Sequence, residues 1–383
     1  MRSLLICRQF LPVAHGAETQ AAALGSEIIS LGHSVRVIAG RQNEQWPAEE
    51  EINGLPVTRL PSPRKRLLGT HIYLRALKSY LLAHRNDYDV LHVIFAKHDA
   101  ALAGNLSRRL NRPVVCKPAC AGEYGDLKAV WKTMFPRHLL RGIMKIDRLI
   151  AISDEIATEW VSAGFPFERI ARIPNGVDVE RFRPALLGEQ EEARRRLGLP
   201  LQARIIVGSG RLERQKGFAV LLEAVGRLGN VPDLHVAIAG KGSRREELAR
   251  LAEALKISDR VHLLGHVKSI EDVYHAADLF VLPSRGEGMS NALLEAMACG
   301  LDVAATRVSG VLELIRHDSN GLLAAPESGP SLADALRQWL SAPVGRYGSA
   351  ARALIEQQYS LRHVAELTAQ LYAEVIAERA KTK

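Results

Sequence analysis

The stretch LFVLPSRGEGMSNALLEAMACG, residues 279–300, holds the pattern that decides the fold. Leu279–Leu282 is a short apolar run of the kind that forms a buried strand. A turn flanked by glycines follows, and Leu293, Leu294 and Met297 then lie at the spacing of one helix face. A strand, a glycine turn and a helix in this order predict one unit of a parallel α/β sheet.

The same alternation continues on both sides of this stretch. Apolar runs of strand length are separated by helix-like patterns, which predicts parallel sheets covered by helices on both faces. The runs in the first half of the chain are Leu4–Cys7, Val35–Ala39, Val90–Ile94, Val114–Val115 and Leu149–Ile152. The other runs in the second half are Ile205–Gly208, His235–Ala239, Val261–Leu264, Val303–Ala305 and Leu322–Ala324.

A charged stretch punctuated by prolines, within residues 176–200, divides the two series of strands. The 383 residues suffice for roughly two domains at about 150 residues each. Ala17–Leu31 and Leu361–Ala380 carry apolar residues at near-helical spacing, so both are predicted helices. We therefore expect two doubly wound α/β domains in series, with ligands bound in the cleft between them, at the carboxyl ends of the strands.

Composition excludes several classes of protein. Hydrophobic residues make up 47% of the chain and charged residues 24%, values that exclude wholesale disorder and fibrous architectures. No apolar run approaches the roughly 20 residues that span a bilayer, and Leu4–Ile6 is too short for a secretory segment, so we expect a cytoplasmic protein. We expect the few scattered cysteines, Cys7, Cys116, Cys120 and Cys299, to be free thiols.

The formal charge of +9 lies almost entirely in the first half of the chain. Residues 1–175 hold 24 Lys and Arg against 16 Asp and Glu, whereas residues 176–383 hold 27 against 26. Residues 62–85 interleave cations, Arg64–Arg66 among them, with leucines and predict a basic helix. Such a helix either lies on an anionic membrane surface, to which Trp131 and Phe135 would add, or covers the sheet with a solvated basic side. Nucleic acid is not an expected partner, because aromatic content is only 5% and no binding motif is present.

The turn and helix of residues 284–300 carry two carboxylates and a row of backbone donors. Glu287 lies in the turn and Glu295 two helical turns further on, roughly 12 Å away at about 1.5 Å per residue. That separation is too long for two carboxylates that share a proton, but it suits the two ends of an extended ligand. The backbone amides of Gly288, Met289 and Ser290, at a helix N-terminus, can donate to hydroxyls or to an anion.

The second chemical stretch is GSGRLERQKGFAVLLEA, residues 208–224. Arg211 and Lys216 place two cations on a loop before a helix, and a diphosphate carries about two negative charges, so the loop suits a diphosphate. Neither Gly208-x-Gly210 nor the later Gly240-x-Gly242 completes a dinucleotide fingerprint, because Glu213 and Arg245 occupy the third glycine positions.

Two further segments complete the pattern: AHGAETQAAALGSEIISLGHSV, residues 14–35, with His15 and Gly16 at a loop, and IPNGVDVERFRP, residues 173–184. With GRLERQKG and the Glu-x7-Glu stretch, they resemble the retaining glycosyltransferases of GT-B fold, family 4, over nearly the whole chain. The resemblance implies two Rossmann-like domains facing across a cleft. The N-terminal, acceptor-binding domain would comprise residues 1–180 with a helix at 361–383 that crosses back to it, and the donor-binding domain residues 181–360.

The resemblance also implies roles for individual residues. Arg211 and Lys216 would bind the donor diphosphate, and Gly16 would bring backbone close to it. The sugar ring would be held by Glu287 with the nearby amides, and the ribose hydroxyls by Glu295. The nucleobase would lie near Gly240 and His266-Val267.

One departure concerns a histidine that family members carry after the fifth N-terminal strand. Here the corresponding stretch is VVCKPACAGEYGD, residues 114–126, which contains no histidine. Lys117, Glu123 or a backbone group must take its place on the acceptor side. His92 and His98 follow the preceding strand and are weaker candidates, because a lone histidine at a strand end is more often simply hydrogen-bonded.

The expected reaction is transfer of a sugar from a nucleotide diphosphate sugar, with a UDP-sugar favoured, to a hydroxyl of a glycan or lipid-linked acceptor, with retention. The resemblance points to cell-envelope polysaccharide or lipopolysaccharide synthesis. No metal or other cofactor is expected, because no Asp-x-Asp pair follows a strand. The alternatives are a catalytically silent nucleotide-sugar-binding scaffold or sensor in a glycan-assembly complex, and a GT-B enzyme of another type, such as an epimerase.

Overall fold

The structure is a computed structural model of the 383-residue chain and describes residues 1–13, 16–64 and 66–381. It divides into two compact units, of which unit 1 comprises Met1–Gly176 with Leu361–Lys383 and unit 2 comprises Val177–Ser360. The chain passes from unit 1 to unit 2 inside the Asn-Gly-Val-Asp segment and returns at Leu361.

The strands are named in chain order. They are β1 (Arg2–Ile6), β2 (Ser34–Arg41), β3 (Glu49–Ile52), β4 (Leu55–Pro61), β5 (Val90–Ile94), β6 (Val114–Lys117), β7 (Arg148–Ala151), β8 (Ile170–Arg172), β9 (Arg204–Ser209), β10 (Leu234–Ala239), β11 (Val261–Gly265), β12 (Leu279–Leu282), β13 (Asp302–Thr306) and β14 (Leu322–Ala324).

The α-helices follow the same convention. They are α1 (Gly16–Ser30), α2 (Arg66–Ala83), α3 (His98–Leu110), α4 (Asp126–Trp131), α5 (Pro136–Ile143), α6 (Asp154–Ser162), α7 (Glu189–Leu197), α8 (Phe218–Gly226), α9 (Arg245–Ala254), α10 (Ile270–His275), α11 (Asn291–Ala298), α12 (Ser309–Leu312), α13 (Gly329–Ser341), α14 (Gly348–Leu354) and α15 (Leu361–Lys381). Short 3-10 turns occur at Gly122–Tyr124, Phe167–Arg169, Arg214–Lys216 and Ser258–Arg260, and a π-turn at Ile355–Tyr359.

Unit 1 contains a sheet in the order β3-β4-β2-β1-β5-β6-β7-β8. Its strands are parallel except for the antiparallel pair β3 and β4. One core cluster joins strand residues such as Leu5 and Val115 to Leu24 of α1 and Leu371 and Val375 of α15. The last helix therefore packs on the N-terminal unit, which confirms that part of the predicted fold.

Unit 2 contains a parallel sheet in the order β11-β10-β9-β12-β13-β14. From β9 the chain adds strands outward in one direction, and from β12 it adds them in the other. The loops after β9 and β12 thus flank the point at which the strand order reverses, where open α/β sheets bind their ligands.

The sequence prediction missed β3, β4 and β8. β3 is the edge strand Glu-Glu-Glu-Ile, partly exposed, and β8 is a three-residue edge strand. Neither has the continuous apolar run of a strand covered on both faces, and edge strands need no such run. β4 is buried but begins and ends beside prolines, which disguise a strand in sequence.

The basic helix predicted over residues 62–85 is α2. Its fully buried side chains Tyr73, Leu77 and Leu81 recur every four residues, while Arg75 and Lys78 are exposed. Lys65 lies outside the described residues. Tyr73, Leu77 and Leu81 are thus used in packing within unit 1, whereas Leu68 near the start of the helix is 55% exposed.

Candidate active site

The loops after β9 and β12 are joined by two hydrogen bonds. The Arg285 amide donates to the carbonyl of Gln215 (2.8 Å), and Gln215 Nε2 donates to the carbonyl of Gly286 (2.9 Å). Arg211 and Lys216 lie on the first loop and Glu287 on the second. The structure therefore holds two segments from distant parts of the sequence in a fixed relation.

Gly217 permits this close approach. Its φ is +65°, and a Cβ atom there would lie 2.0 Å from the carbonyl oxygen of Pro283. Any other residue would both strain the backbone and collide with the second loop. Gly240, after β10, likewise permits the close approach of the loop after β9, since a Cβ atom on Gly240 would lie 1.8 Å from the carbonyl oxygen of Gly210.

Lys216 and Glu287 form an ion pair at this junction. Lys216 Nζ donates to Glu287 Oε1 at 2.6 Å, and Ser284 Oγ donates to the same oxygen at 2.6 Å. The two side chains are 17% and 8% exposed, so the pair is largely withdrawn from water. Thr306 Oγ1 donates to the carbonyl of Ser284 (2.5 Å) and so fixes the serine. Across the described ranges no donor reaches Glu287 Oε2, which leaves that oxygen available to a ligand.

Residues 288–290 lead from this pair into α11. Gly288, Met289 and Ser290 are buried, and Ser290 Oγ accepts a bond from the Leu293 amide (3.4 Å) as the N-cap. The Gly310 amide donates to the carbonyl of Glu287 (3.3 Å) and supports the turn from below. The turn thus presents its backbone at the N-terminus of a capped helix.

Arg211 differs from Lys216 in being exposed. In the part of the chain that the structure describes, its guanidinium makes no hydrogen bond or ion pair. Its neighbour Glu213 accepts bonds from the Ser243 amide (3.1 Å) and hydroxyl (3.0 Å), which holds the Arg211 loop against the loop after β10. Arg211 is therefore a cation on an anchored loop that is available to an anion.

Glu295 belongs to a second polar group, at the end of β9. Tyr274 Oη donates to Glu295 Oε2 (2.6 Å) and lies 3.0 Å from Ser209 Oγ. Burial raises the pKa of Glu295 to about 7, against the opposing effect of the Tyr274 bond. Neither Tyr274 nor Ser209 was predicted, because Tyr274 belongs to no recognisable motif and Ser209, although inside the stretch 208–224, has no charge or glycine signal of its own.

The positions predicted near a nucleobase lie at the next two strand ends. The Gly240 amide donates to the carbonyl of Gly265 (2.7 Å), and Gly210 donates to the carbonyl of Ala239 (2.9 Å). After β11 come His266, which is exposed, and Val267, which is half-buried. Within unit 2, the strand ends thus bring together the loops that carry Arg211, Lys216, Gly240, Val267 and Glu287.

The predicted residues Gly16, Lys117 and Glu123 lie in unit 1. Gly16 is the exposed first residue of α1, and His15 lies outside the described residues. Lys117 ends β6 and is only 8% exposed, and burial lowers its pKa to about 8. Glu123 is exposed in a 3-10 turn, and no hydrogen bond or ion pair joins it to Lys117 among the described residues.

The two weaker histidine candidates differ from each other. His92 is fully buried with Nδ1 2.6 Å from Tyr372 Oη, and burial lowers its pKa to about 3, so it is a neutral structural residue. His98 begins α3 and is half-buried. Asp99 beside it was not predicted; it is 7% exposed, and burial raises its pKa to about 6.

Three findings concern other predicted features. All four cysteines are free thiols, as predicted. Throughout residues 1–13, 16–64 and 66–381, no group of three His, Cys, Asp or Glu side chains is placed to hold a metal ion. Among the helices in those ranges, none combines the length and apolarity needed to cross a bilayer.

Comparison with known proteins covers both units. The family model of glycosyl transferases group 1 matches residues 189–360, and that of the glycosyl transferase 4-like domain matches residues 15–176. A D-inositol 3-phosphate glycosyltransferase of Corynebacterium urealyticum is 31% identical over 375 residues, which cover 92% of this chain and 83% of that protein. A glycosyltransferase of Methanocaldococcus jannaschii is 27% identical, with 87% of each chain covered.

Solved structures show the same fold. Anabaena Alr3699/HepE in complex with UDP has a TM-score of 0.82 at 20% identity, covering 98% of this chain and all of that one. WaaG, a glycosyltransferase of lipopolysaccharide biosynthesis, has a TM-score of 0.75 at 20% identity, covering 97% and 99%. Both parallel-sheet units match the GT-B architecture. The chain accordingly belongs to the GT-B glycosyltransferases of family 4 and is a hexosyltransferase-type enzyme (EC 2.4).

Proposed function

We propose that this enzyme transfers a sugar from a UDP-sugar to a hydroxyl of a glycan or lipid-linked acceptor, with retention at the anomeric carbon. The observation that carries the proposal is the ion pair of Lys216 with Glu287 across two loops at the switch point of unit 2. Structural neighbours were solved with UDP and with UDP-glucose, which supports the uridine donor. The likeness to WaaG supports a role in cell-envelope polysaccharide or lipopolysaccharide synthesis.

Arg211 and Lys216 both stabilise the charge of the leaving diphosphate, in different ways. When the bond to the sugar breaks, the diphosphate gains negative charge, so cations bind the transition state more tightly than the ground state. Arg211 is available for this, whereas Lys216 shares its charge with Glu287, 2.6 Å away. Lys216 therefore stays fixed by Glu287 while it meets the diphosphate. Two positive side chains meet the charge of the diphosphate, and we propose that no metal is needed.

The carboxylates hold the two ends of the donor. Glu287 keeps Oε2 for a sugar hydroxyl, beside the amides of Gly288 and Met289. Glu295, fixed through Oε2 by Tyr274, accepts from the ribose hydroxyls through its other oxygen. The base lies near Gly240 and Val267.

Unit 1 would supply the acceptor site. Lys117 is a buried ammonium with no hydrogen bond or ion pair among the described residues, so an acceptor that carries an anionic group suits it. The relative named for D-inositol 3-phosphate makes that compound a first acceptor to test. The basic charge of unit 1 supports a cytoplasmic enzyme bound peripherally to the inner face of the membrane.

A thermal-shift panel tests the donor site. UDP, GDP, ADP, CMP and their sugar conjugates are added with and without Mg²⁺ to the wild type and to Glu295→Ala. A ligand at about 100 times its Kd should stabilise the folded state by roughly 2.7 kcal/mol. We expect metal-independent stabilisation by a uridine nucleotide that is lost in the variant. Stabilisation by no nucleotide would contradict the proposal, whereas stabilisation without sugar transfer would favour the nucleotide-sugar-binding scaffold.

Turnover tests the chemical role of Lys216. Lys216→Ala should lower kcat at least about 100-fold, because it removes preorganised charge at the leaving group. Arg214→Ala is the matched control, since Arg214 is an exposed cation of the same 3-10 turn. Equal turnover in the two variants would remove Lys216 from the mechanism.

A further inference from the structure

Three exposed apolar side chains lie within five residues of one another, at the end of α4 and in the segment before α5 of unit 1. Trp131 is 51% exposed, Met134 70% and Phe135 66%. We call residues 131–136, Trp-Lys-Thr-Met-Phe-Pro, the aromatic loop. Side chains of this size are usually withdrawn from water, so a cluster of three indicates a surface that meets something apolar.

The helices on both sides of the aromatic loop are anchored by buried apolar residues. These are Leu127 and Val130 of α4 and Leu139 and Ile143 of α5. α5 packs so closely on α3 that a Cβ on Gly104 would lie 2.2 Å from the carbonyl oxygen of Gly142. The helices on both sides are therefore anchored by their own apolar residues, and the loop side chains are presented outward.

Cations surround the aromatic loop and lack counter-charges. Residues 127–146 contain five Lys and Arg and neither Asp nor Glu. All five are exposed. Lys145 donates to Asn105 Oδ1 (2.7 Å), whereas Lys128, Lys132, Arg137 and Arg141 form no ion pair within the described ranges. The surface thus combines apolar side chains with unpaired positive charge.

We propose that the aromatic loop inserts into the headgroup region of an anionic lipid bilayer, with the surrounding cations against lipid phosphates. Tryptophan prefers the membrane interface, and cations beside it gain from the negative surface potential. This inference rests on the proposed function only in that the acceptor is taken to be membrane-borne. It assigns membrane contact to the aromatic loop and not to α2, whose Tyr73, Leu77 and Leu81 are buried.

The charge distribution favours lipid over a second copy of this chain. A symmetric dimer through the aromatic loop would bring the four cations of each copy together, because a two-fold interface pairs a surface with itself. Like charges so placed oppose association. An anionic bilayer instead meets both the apolar side chains and the charge.

Intrinsic fluorescence gives a local test. Trp160 and Trp339 are fully buried and Trp46 is half-buried, so Trp131 is the most exposed of the four tryptophans. Vesicles of phosphatidylcholine with about 30% phosphatidylglycerol should shift its emission to shorter wavelength, and lipids brominated in the upper acyl chain should quench it. Pure phosphatidylcholine should bind at least about tenfold more weakly.

Variants separate the loop from other surfaces. Met134→Ser with Phe135→Ser keeps the Trp131 reporter and should lower partitioning into anionic vesicles at least about tenfold. Arg137→Glu with Arg141→Glu should lower it similarly at low salt. Phe167→Ser is the matched control, since Phe167 is 74% exposed in the same unit, and it should bind as the wild type does. Arg75→Glu with Lys78→Glu on α2 should have a smaller effect than the loop variants.

Several results would overturn the proposal. The first is a wild-type protein whose emission is neither shifted nor quenched by anionic vesicles at low salt. The second is a loop variant that still binds these vesicles as the wild type does. The third is a concentration-dependent dimer of the wild type that the loop variant does not form. Stabilisation by UDP, measured on the same samples without vesicles, reports the donor site separately. A loop variant that no longer binds vesicles but is still stabilised by UDP supports the membrane role of the aromatic loop. A wild-type protein that UDP does not stabilise would count against the donor assignment alone.

Discussion

At the scale of single residues, the proposed donor site depends on two carboxylates held in different surroundings. Glu287 is fixed by a cation and a hydroxyl, whereas Glu295 is fixed by a buried phenol. Burial without a hydrogen-bonded cation raises the pKa of Glu295 to about 7, so its two protonation states coexist at neutral pH. Glu295 therefore changes its protonation state within the neutral pH range.

The raised pKa of Glu295 predicts pH-dependent donor binding. Only ionised Glu295 accepts hydrogen bonds through both oxygens, so the donor Kd should rise as pH falls below about 7, by up to about tenfold per pH unit. Isothermal titration between pH 5.5 and 8.5 measures this with the nucleotide sugar that stabilises the protein. The control is Glu295→Gln, whose Kd should lack the transition. The same pH profile in both proteins would contradict a role for Glu295 in donor binding.

At the scale of elements, a glycine decides how two βα units meet. The loop from β9 to α8 can touch the loop after β12 only because Gly217 has no side chain. Gly229, at the other end of α8, has a similar φ of +73° but nothing within 4 Å of its Cβ position. The two positions share the backbone requirement and differ only in the neighbouring loop.

Alanine substitutions at these two glycines test the point. Gly229→Ala should cost only the backbone strain, about 1 kcal/mol of unfolding free energy. Gly217→Ala should cost at least about 3 kcal/mol and weaken donor binding, because the Pro283 carbonyl lies 2.0 Å from the new methyl group and the two loops must separate. Urea unfolding and donor Kd measure the two effects. Equal stabilities of the two variants would show that the loops tolerate the displacement.

At the scale of the whole molecule, the chain leaves unit 1 at Gly176 and comes back to it for its last helix. α15 is joined to unit 1 by the buried bond of Tyr372 to His92 (2.6 Å) and, nearer the chain end, by Arg379 to Asp147 (2.7 Å). Because the pKa of His92 is lowered to about 3, this histidine is neutral in the folded chain from pH 8 down to about 3. Unfolded, it gains a proton below about 6.5, so its contribution to stability is complete above that pH and is lost as pH falls.

Two buried tyrosines test the attachment of α15. Tyr372→Phe leaves His92 Nδ1 buried without a partner and should cost about 1–3 kcal/mol of unfolding free energy. Tyr73→Phe is the matched control, because the Tyr73 hydroxyl is equally buried but has no hydrogen-bond partner in the described structure, and its removal should be nearly neutral. Urea unfolding at pH 7 measures both. A Tyr372→Phe protein as stable as the wild type would show that the buried bond contributes nothing to the hold on α15.

The amino-acid sequence by itself determined the two α/β units, the helix that returns to the first of them, and the family. These depend on apolar periodicity, glycine turns and residue spacing, which are local properties of the chain. Arg211, Lys216, Glu287 and Glu295 were found in the same way, because each lies at a fixed distance from a strand or a glycine. Their roles in donor binding remain predictions.

Only the tertiary structure decided which side chains meet. Lys216 and Glu287 are 71 residues apart, and their 2.6 Å contact exists because β9 and β12 are neighbours in the sheet. Tyr274 has no motif, yet packing places it against Glu295. Burial likewise distinguished α2, whose Tyr73, Leu77 and Leu81 are interior, from the aromatic loop, whose Trp131, Met134 and Phe135 are exposed. Contacts, exposure and pKa shifts depend on chain segments far apart in sequence, and local patterns carry no record of them.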